Sequence, residues 1–233
     1  MLCAIPARWI THFSVCLYEW QTLIVGLAAL LVGAGTVLQV RRQIKQADKI
    51  AESSRRANLA VARAKLPNAT AAAAVYAKQC VVALDTIAPA IRTRAQTADA
   101  VVIPFLASDI QDVFDKLLVT TTDESALFSV SAIYTEQQVF ESRLSDIHIA
   151  PAEHKCALPY YYLQPVIIHS FAMKLLEYGR RETDYVPTVQ WGDLRNSAVS
   201  ILRTSKACDE IIALIDDKAA RDIKMPFAIS VSA

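Results

Sequence analysis

Residues 20–40, WQTLIVGLAALLVGAGTVLQV, are 21 consecutive positions without a charged side chain, and no other feature restricts the fold as much. As a helix rising 1.5 Å per residue, such a run crosses about 30 Å, the hydrocarbon thickness of a bilayer. Tyr18 and Trp20 stand at its entrance, where amphipathic rings suit the headgroup level. The run is longer than the apolar part of a signal peptide and ends in Val40-Arg41-Arg42 rather than a small-residue cleavage site. The competing reading is a buried core helix. Length, purity and the basic flank all favour a membrane span.

The charge distribution gives an orientation. Residues 41–65 hold eight Lys or Arg against Asp48 and Glu52, whereas residues 66–233 hold fifteen basic and twenty acidic side chains. Arg41, Arg42 and Lys45 follow the span directly, and only Arg8 precedes it among Lys and Arg. The positive-inside rule then puts residues 1–19 outside and everything after residue 40 in the cytoplasm. Arg41, Arg42, Lys45 and Lys49 are expected to touch anionic lipid headgroups, each contributing about 1 kcal/mol near the surface. Nucleic acid is the other partner a basic run suggests. It is not expected here, because no aromatic residues are interleaved and the charges adjoin the bilayer. Within the span Gly26, Ala29 and Gly33 share one helical face. Small residues let helices approach closely in lipid, so this face is expected to associate copies of the chain; the plain alternative is that Gly and Ala are common in membrane helices.

The remainder reads as all-α. Only five glycines and nine prolines punctuate 233 residues, 54% of them apolar, and no run alternates with period two long enough for a strand. A basic juxtamembrane helix is expected over 41–66, ended by Pro67, then an antiparallel helical bundle over 67–225 with four or five helices, and a loose tail over 226–233. Pro104 is expected to open a helix with Phe105, Leu106, Ile110, Val113, Phe114, Leu117 and Leu118 on its apolar side and Asp109, Asp112 and Asp115 on a solvated face. Thr121 and Glu124 have the spacing of a capping box. Beyond them Ala126, Val130, Ile133, Phe140, Leu144 and Ile147 form a seam of alternating intervals, with Gln137 as its polar interruption. HIAPAEHKCALPYYYLQP, with three prolines, reads as a long loop, and the apolar helix after it should end near Gly179. After Pro187, Leu194, Ala198, Ile201, Ser205, Cys208, Ile212 and Ile215 continue one seam.

Signs of chemistry are few. Five scattered cysteines with no C-x-x-C pattern give neither a disulfide framework nor a zinc site, and a reducing cytoplasm is the simplest setting. His148, His154 and His169 lack the H-E-x-x-H spacing of a metal-binding helix. DDKAARD at 216–222 lacks the spacing and the second acidic motif of a Mg²⁺ site and reads as a solvated helix end. There is no G-x-S-x-G and no glycine-rich phosphate loop. No cofactor is expected. PYYYLQP, holding Tyr160, Tyr161 and Tyr162, together with His169, is the one cluster suited to a ligand or partner groove; the alternative is that two of the tyrosines simply pack inward.

The stretch YEWQTLIVGLAALLVGAGTV followed by RRQIKQADK and AVARAKLP resembles the start of a set of small single-span bacterial inner-membrane proteins. The resemblance covers residues 18–67. It implies a bacterial inner-membrane setting and brings no activity and no catalytic residues. Residues before Phe13 depart from that pattern, either as an extended start or as an outward-facing segment. The chain is therefore expected to be a non-enzymatic, membrane-anchored interaction module, homo-oligomeric and facing an unidentified protein partner. A helical small-molecule sensor is the alternative, and a metal-dependent helical hydrolase using His148, His154 or Asp216 and Asp217 is the second.

Overall fold

A computed structural model describes residues 8–93, 102–149 and 151–221. Among them are six α-helices and no strand: α1 (Arg8–Thr93), α2 (Ser108–Thr120), α3 (Glu124–Ile149), α4 (Leu158–Gly179), α5 (Trp191–Ile201) and α6 (Cys208–Ala220). A 3-10 stretch, Pro151–Ala157, leads into α4. The expected loose tail over 226–233 lies outside the described residues, as does the start of the N-terminal segment, residues 1–7. The chain divides into two compact units, Met1–Arg55 and Arg56–Ala233.

In the first unit the apolar run is uncovered. Every described side chain from Leu23 to Ala51 is exposed, including Leu30 and Val32. The described stretch Leu23–Thr93 contains an 18-residue window of mean hydropathy 2.2, none of it buried, and is the one described helix long and apolar enough to cross a membrane. A core helix would instead be covered by its own protein.

The second unit has a continuous core. Along α1 one stripe of buried positions runs through Ala62, Leu66, Ala69, Ala73, Ala77, Cys80, Leu84, Ile87 and Ile91. Their spacing is of fours and threes, which keeps one stripe of a helix facing its neighbours. This seam runs straight through Pro67, where an end of the helix was expected, and on through Pro89. A proline removes one intrahelical bond and crowds the preceding turn. Here Leu66 and Ala69, buried on either side of Pro67, hold the helix in register. Gly179, at the end of α4, leaves the space: a Cβ there would lie 3.1 Å from Pro67 Cδ and 3.1 Å from Leu66 Cβ.

The α3 seam is seen as expected, with Ala126, Val130, Ile133, Phe140, Leu144 and Ile147 all buried. Helix α4 is buried on nearly every side and packs against α3, α5 and α6. Four details differ from expectation. Helix α2 starts at Ser108, because Ala107 is still extended and its carbonyl accepts from Ile110 and Gln111 N–H; Phe105 is consequently outside the helix and 77% exposed. The start of α3 is capped by Asp123, whose Oδ1 accepts from Ser125 N–H at 3.0 Å, while Thr121 Oγ1 accepts from Asp123 N–H. The stretch read as a long proline-rich loop is the end of α3, the 3-10 stretch and the first turns of α4, since Pro159 sits in the first turn where a missing N–H breaks no bond. The single seam read after Pro187 is two helices, separated at residues 202–207, where Ser205 N–H bonds back to the Leu202 carbonyl.

Candidate functional site

Gly26, Ala29 and Gly33 lie on exposed helix, and a Cβ at either glycine would meet nothing within 4 Å. Arg41, Arg42, Lys45 and Lys49 are exposed as well. The basic stretch is not uniform, however. Arg55 pairs with Glu52 at 2.9 Å. Arg63, already in the second unit, is held within it: its Nη2 donates to the carbonyls of Tyr178 (3.0 Å) and Thr183 (3.2 Å), and its guanidinium lies 4.0 Å from the Tyr178 ring centroid. A planar guanidinium stacked on a ring and forked between two carbonyls is a structural clamp.

Tyr160, Tyr161, Tyr162 and His169 all fall on α4 and differ in exposure and in partners. Tyr160 is 49% exposed, with Lys218 Nζ 5.7 Å from its ring. Tyr161 is buried, its hydroxyl 2.6 Å from His154 Nδ1. Tyr162 is 1% exposed and donates to Asp85 Oδ1 at 2.6 Å; burial, then the Asp85 carboxylate, pushes its phenol well up. His169 is buried, with Nδ1 3.1 Å from Ser197 Oγ. Burial, and next the Lys78 charge, lowers its pKa to about 4, so it is neutral at physiological pH. Among the described residues no group of three or more His, Cys, Asp or Glu is placed to hold a metal. Asp216 pairs with Arg195, and Asp217 with Arg221. The side chain of His148 lies outside the described ones.

Two concavities lie elsewhere. A groove of about 730 Å³ is walled by Val75, Val82 and Ala83 of α1 and by Val102, Ile103, Pro104 and Phe105 after it. Its lining is mainly apolar, with Lys78, Gln79 and Thr86 as the polar members. A polar cleft of about 520 Å³ is lined by Gln111, Asp115 and Leu118 of α2 and Tyr134, Gln137, Gln138 and Glu141 of α3. Tyr134 hydroxyl donates to Asp115 Oδ1 at 2.9 Å, and Tyr76 hydroxyl, from α1, donates to Glu141 Oε1 at 3.2 Å. Gln137 Nε2 donates to the same Glu141 oxygen at 3.0 Å, while Gln137 Oε1 is buried with no partner. Beneath, burial pushes the Cys80 thiol up to about 12, so it stays protonated and is no nucleophile. Sequence reasoning touched this cleft twice without assembling it, in Asp115 on a solvated face and in Gln137 interrupting an apolar seam. The signal was Gln137 itself, since a buried amide in a seam of aliphatic residues requires polar company.

No protein-family model, curated protein or solved structure matches the chain.

Proposed function

We propose that the chain is a non-enzymatic, single-span protein of the bacterial inner membrane. Its N-terminal segment faces outward, and it holds an antiparallel helical bundle on the cytoplasmic side as an interaction module. One observation carries this reading. Within the single helix α1, the apolar run from Leu23 is wholly uncovered, whereas one apolar stripe from Ala62 to Ile91 is sealed in a core. Apolar surface left in water is unfavourable by about 25 cal/mol per Å², so the uncovered run calls for lipid as its second solvent. The exposed Arg41, Arg42, Lys45 and Lys49 suit an anionic headgroup layer, and the exposed Gly26, Ala29 and Gly33 suit contact with a second copy. The apolar groove at Val75, Val82 and Phe105 is the surface best suited to a protein partner.

Topology labelling tests the reading. Cys156 is exposed in the second unit. A full-length variant with Cys3 and Cys16 changed to Ser should resist alkaline extraction from membranes and should react with a membrane-impermeant maleimide only after the cells are opened. Labelling of Cys156 in intact cells, or release into the alkaline supernatant, would overturn the proposal. For oligomerisation, Gly33→Leu should lower the cross-linked dimer fraction without changing the domain's melting temperature. An unchanged dimer fraction would count against this face.

A further inference from the structure

We infer that the α2–α3 cleft is a binding site for a small organic cation with two ammonium groups, of the alkyl diamine class. Its lining contains two carboxylates, Asp115 and Glu141, three carboxamides, Gln111, Gln137 and Gln138, and no Lys or Arg. Neither carboxylate forms an ion pair among the described residues. Two like charges facing one concavity raise the local concentration of cations, and low-dielectric walls strengthen the effect.

Gln137 supplies the independent observation. It lines the cleft and is only 6% exposed. Its Nε2 is committed to Glu141, and its Oε1 accepts from nothing. A buried carbonyl oxygen without a donor is unfavourable by about 1–3 kcal/mol, and an ammonium N–H beside Glu141 would supply that donor once the Gln137 amide turns its Oε1 toward the cleft. Glu141 is held for the purpose, since Tyr76 and Gln137 both donate to its Oε1. Asp115 is held likewise by the Tyr134 hydroxyl and offers the second ammonium its place. Leu118 gives an apolar wall for the methylene chain between them. The volume lies within the range of roughly 300–1,000 Å³ of small-molecule sites. A hard metal ion fits the donor set less well, because it takes six or more oxygens and two carboxylates do not surround it. The inference concerns the second unit alone and is independent of the membrane reading.

The test is calorimetric titration of the full-length protein, in a nonionic detergent, with 1,4-diaminobutane. Saturable binding of one equivalent is expected, at least tenfold tighter than that of butylamine. Asp115→Asn with Glu141→Gln, which keeps the shapes and removes both charges, should weaken it at least tenfold. If that double variant does not fold, Leu118→Lys places a competing ammonium at the same wall and should abolish binding. Absence of saturable heat up to 10 mM diamine would overturn the inference. So would equal affinity for diamine and monoamine, undiminished binding by a folded variant, or tighter binding of Mg²⁺ than of the diamine.

Discussion

Tyr162 and Ser205 donate their hydroxyls to one oxygen, Asp85 Oδ1, at 2.6 and 2.7 Å, so a single carboxylate of α1 ties α4 to the turn before α6. The two ends differ in their access to water, for Tyr162 is fully buried and Asp85 is exposed. Removing the carboxylate strands a buried hydroxyl, whereas removing the hydroxyl frees a carboxylate that water can reach. Asp85→Ala should therefore destabilise by about 1–3 kcal/mol and Tyr162→Phe by about 0.5–1.5 kcal/mol. In a double-mutant cycle the two should be less than additive. Denaturant unfolding checks the order, and a larger loss in Tyr162→Phe would contradict this account of the contact.

His169 gives the helical unit an acid sensitivity with a defined window. Burial holds its folded pKa near 4, against 6.5 for a free imidazole. Between these values the unfolded chain takes up a proton that the folded one refuses, so stability rises with pH there. Its contribution is fully present above pH 6.5 and is lost as pH falls toward 4, amounting to a few kcal/mol. Melting temperature should fall between pH 7 and pH 5, and less steeply in His169→Gln, which keeps an amide near Ser197 Oγ. Parallel pH profiles for the two proteins would assign the acid sensitivity to other groups.

Gly179 is constrained by space rather than by backbone angle. Its missing Cβ makes room for Leu66 and Pro67, both within 3.1 Å of the position a Cβ would take. Gly179→Ala asks those neighbours for a few tenths of an ångström and should lower stability only modestly. Gly179→Val adds two methyl groups against the proline ring and should be destabilising by about 1–3 kcal/mol. Thermal unfolding of both variants checks the gradation, and equal melting temperatures would show that the α1–α4 crossing yields freely.

Much of this fold was legible because helical periodicity survives in the sequence. The seam from Ala126 to Ile147 is buried residue for residue. Prolines misled where tertiary packing outweighed a local penalty or where a first-turn position carried none. Pro67 lies inside α1 because its flanking side chains are buried, and Pro159 and Pro165 lie within α4. In the last case the aromatic run was displaced from a loop to a helix, which turned Tyr161 and Tyr162 inward. The polar cleft was not legible, because its halves come from two helices whose register against each other no local pattern records. A solvated Asp115 and a cleft-lining Asp115 look alike until Glu141 is placed beside it.

Arg63 and Arg41 stand in the same basic stretch and should behave oppositely. Arg63 holds the end of α4 through two carbonyls and the Tyr178 ring, while Arg41 is exposed at the end of the apolar run. Arg63→Ala removes charge-assisted bonds and a stacked cation and should lower stability by about 2–3 kcal/mol. Arg63→Lys restores the charge but not the planar fork, and should recover less than half of that loss. Changing Arg41, Arg42 and Lys45 together to Ala should leave the melting temperature within about 1 °C, since exposed substitutions usually lie within about 0.5 kcal/mol. On the proposed topology the same triple change removes the charge asymmetry that would orient the span, so a measurable share of chains should then expose Cys156 outside the cell. Retention of a single orientation, with Cys156 labelled only in opened cells, would show that features other than these three charges set the topology.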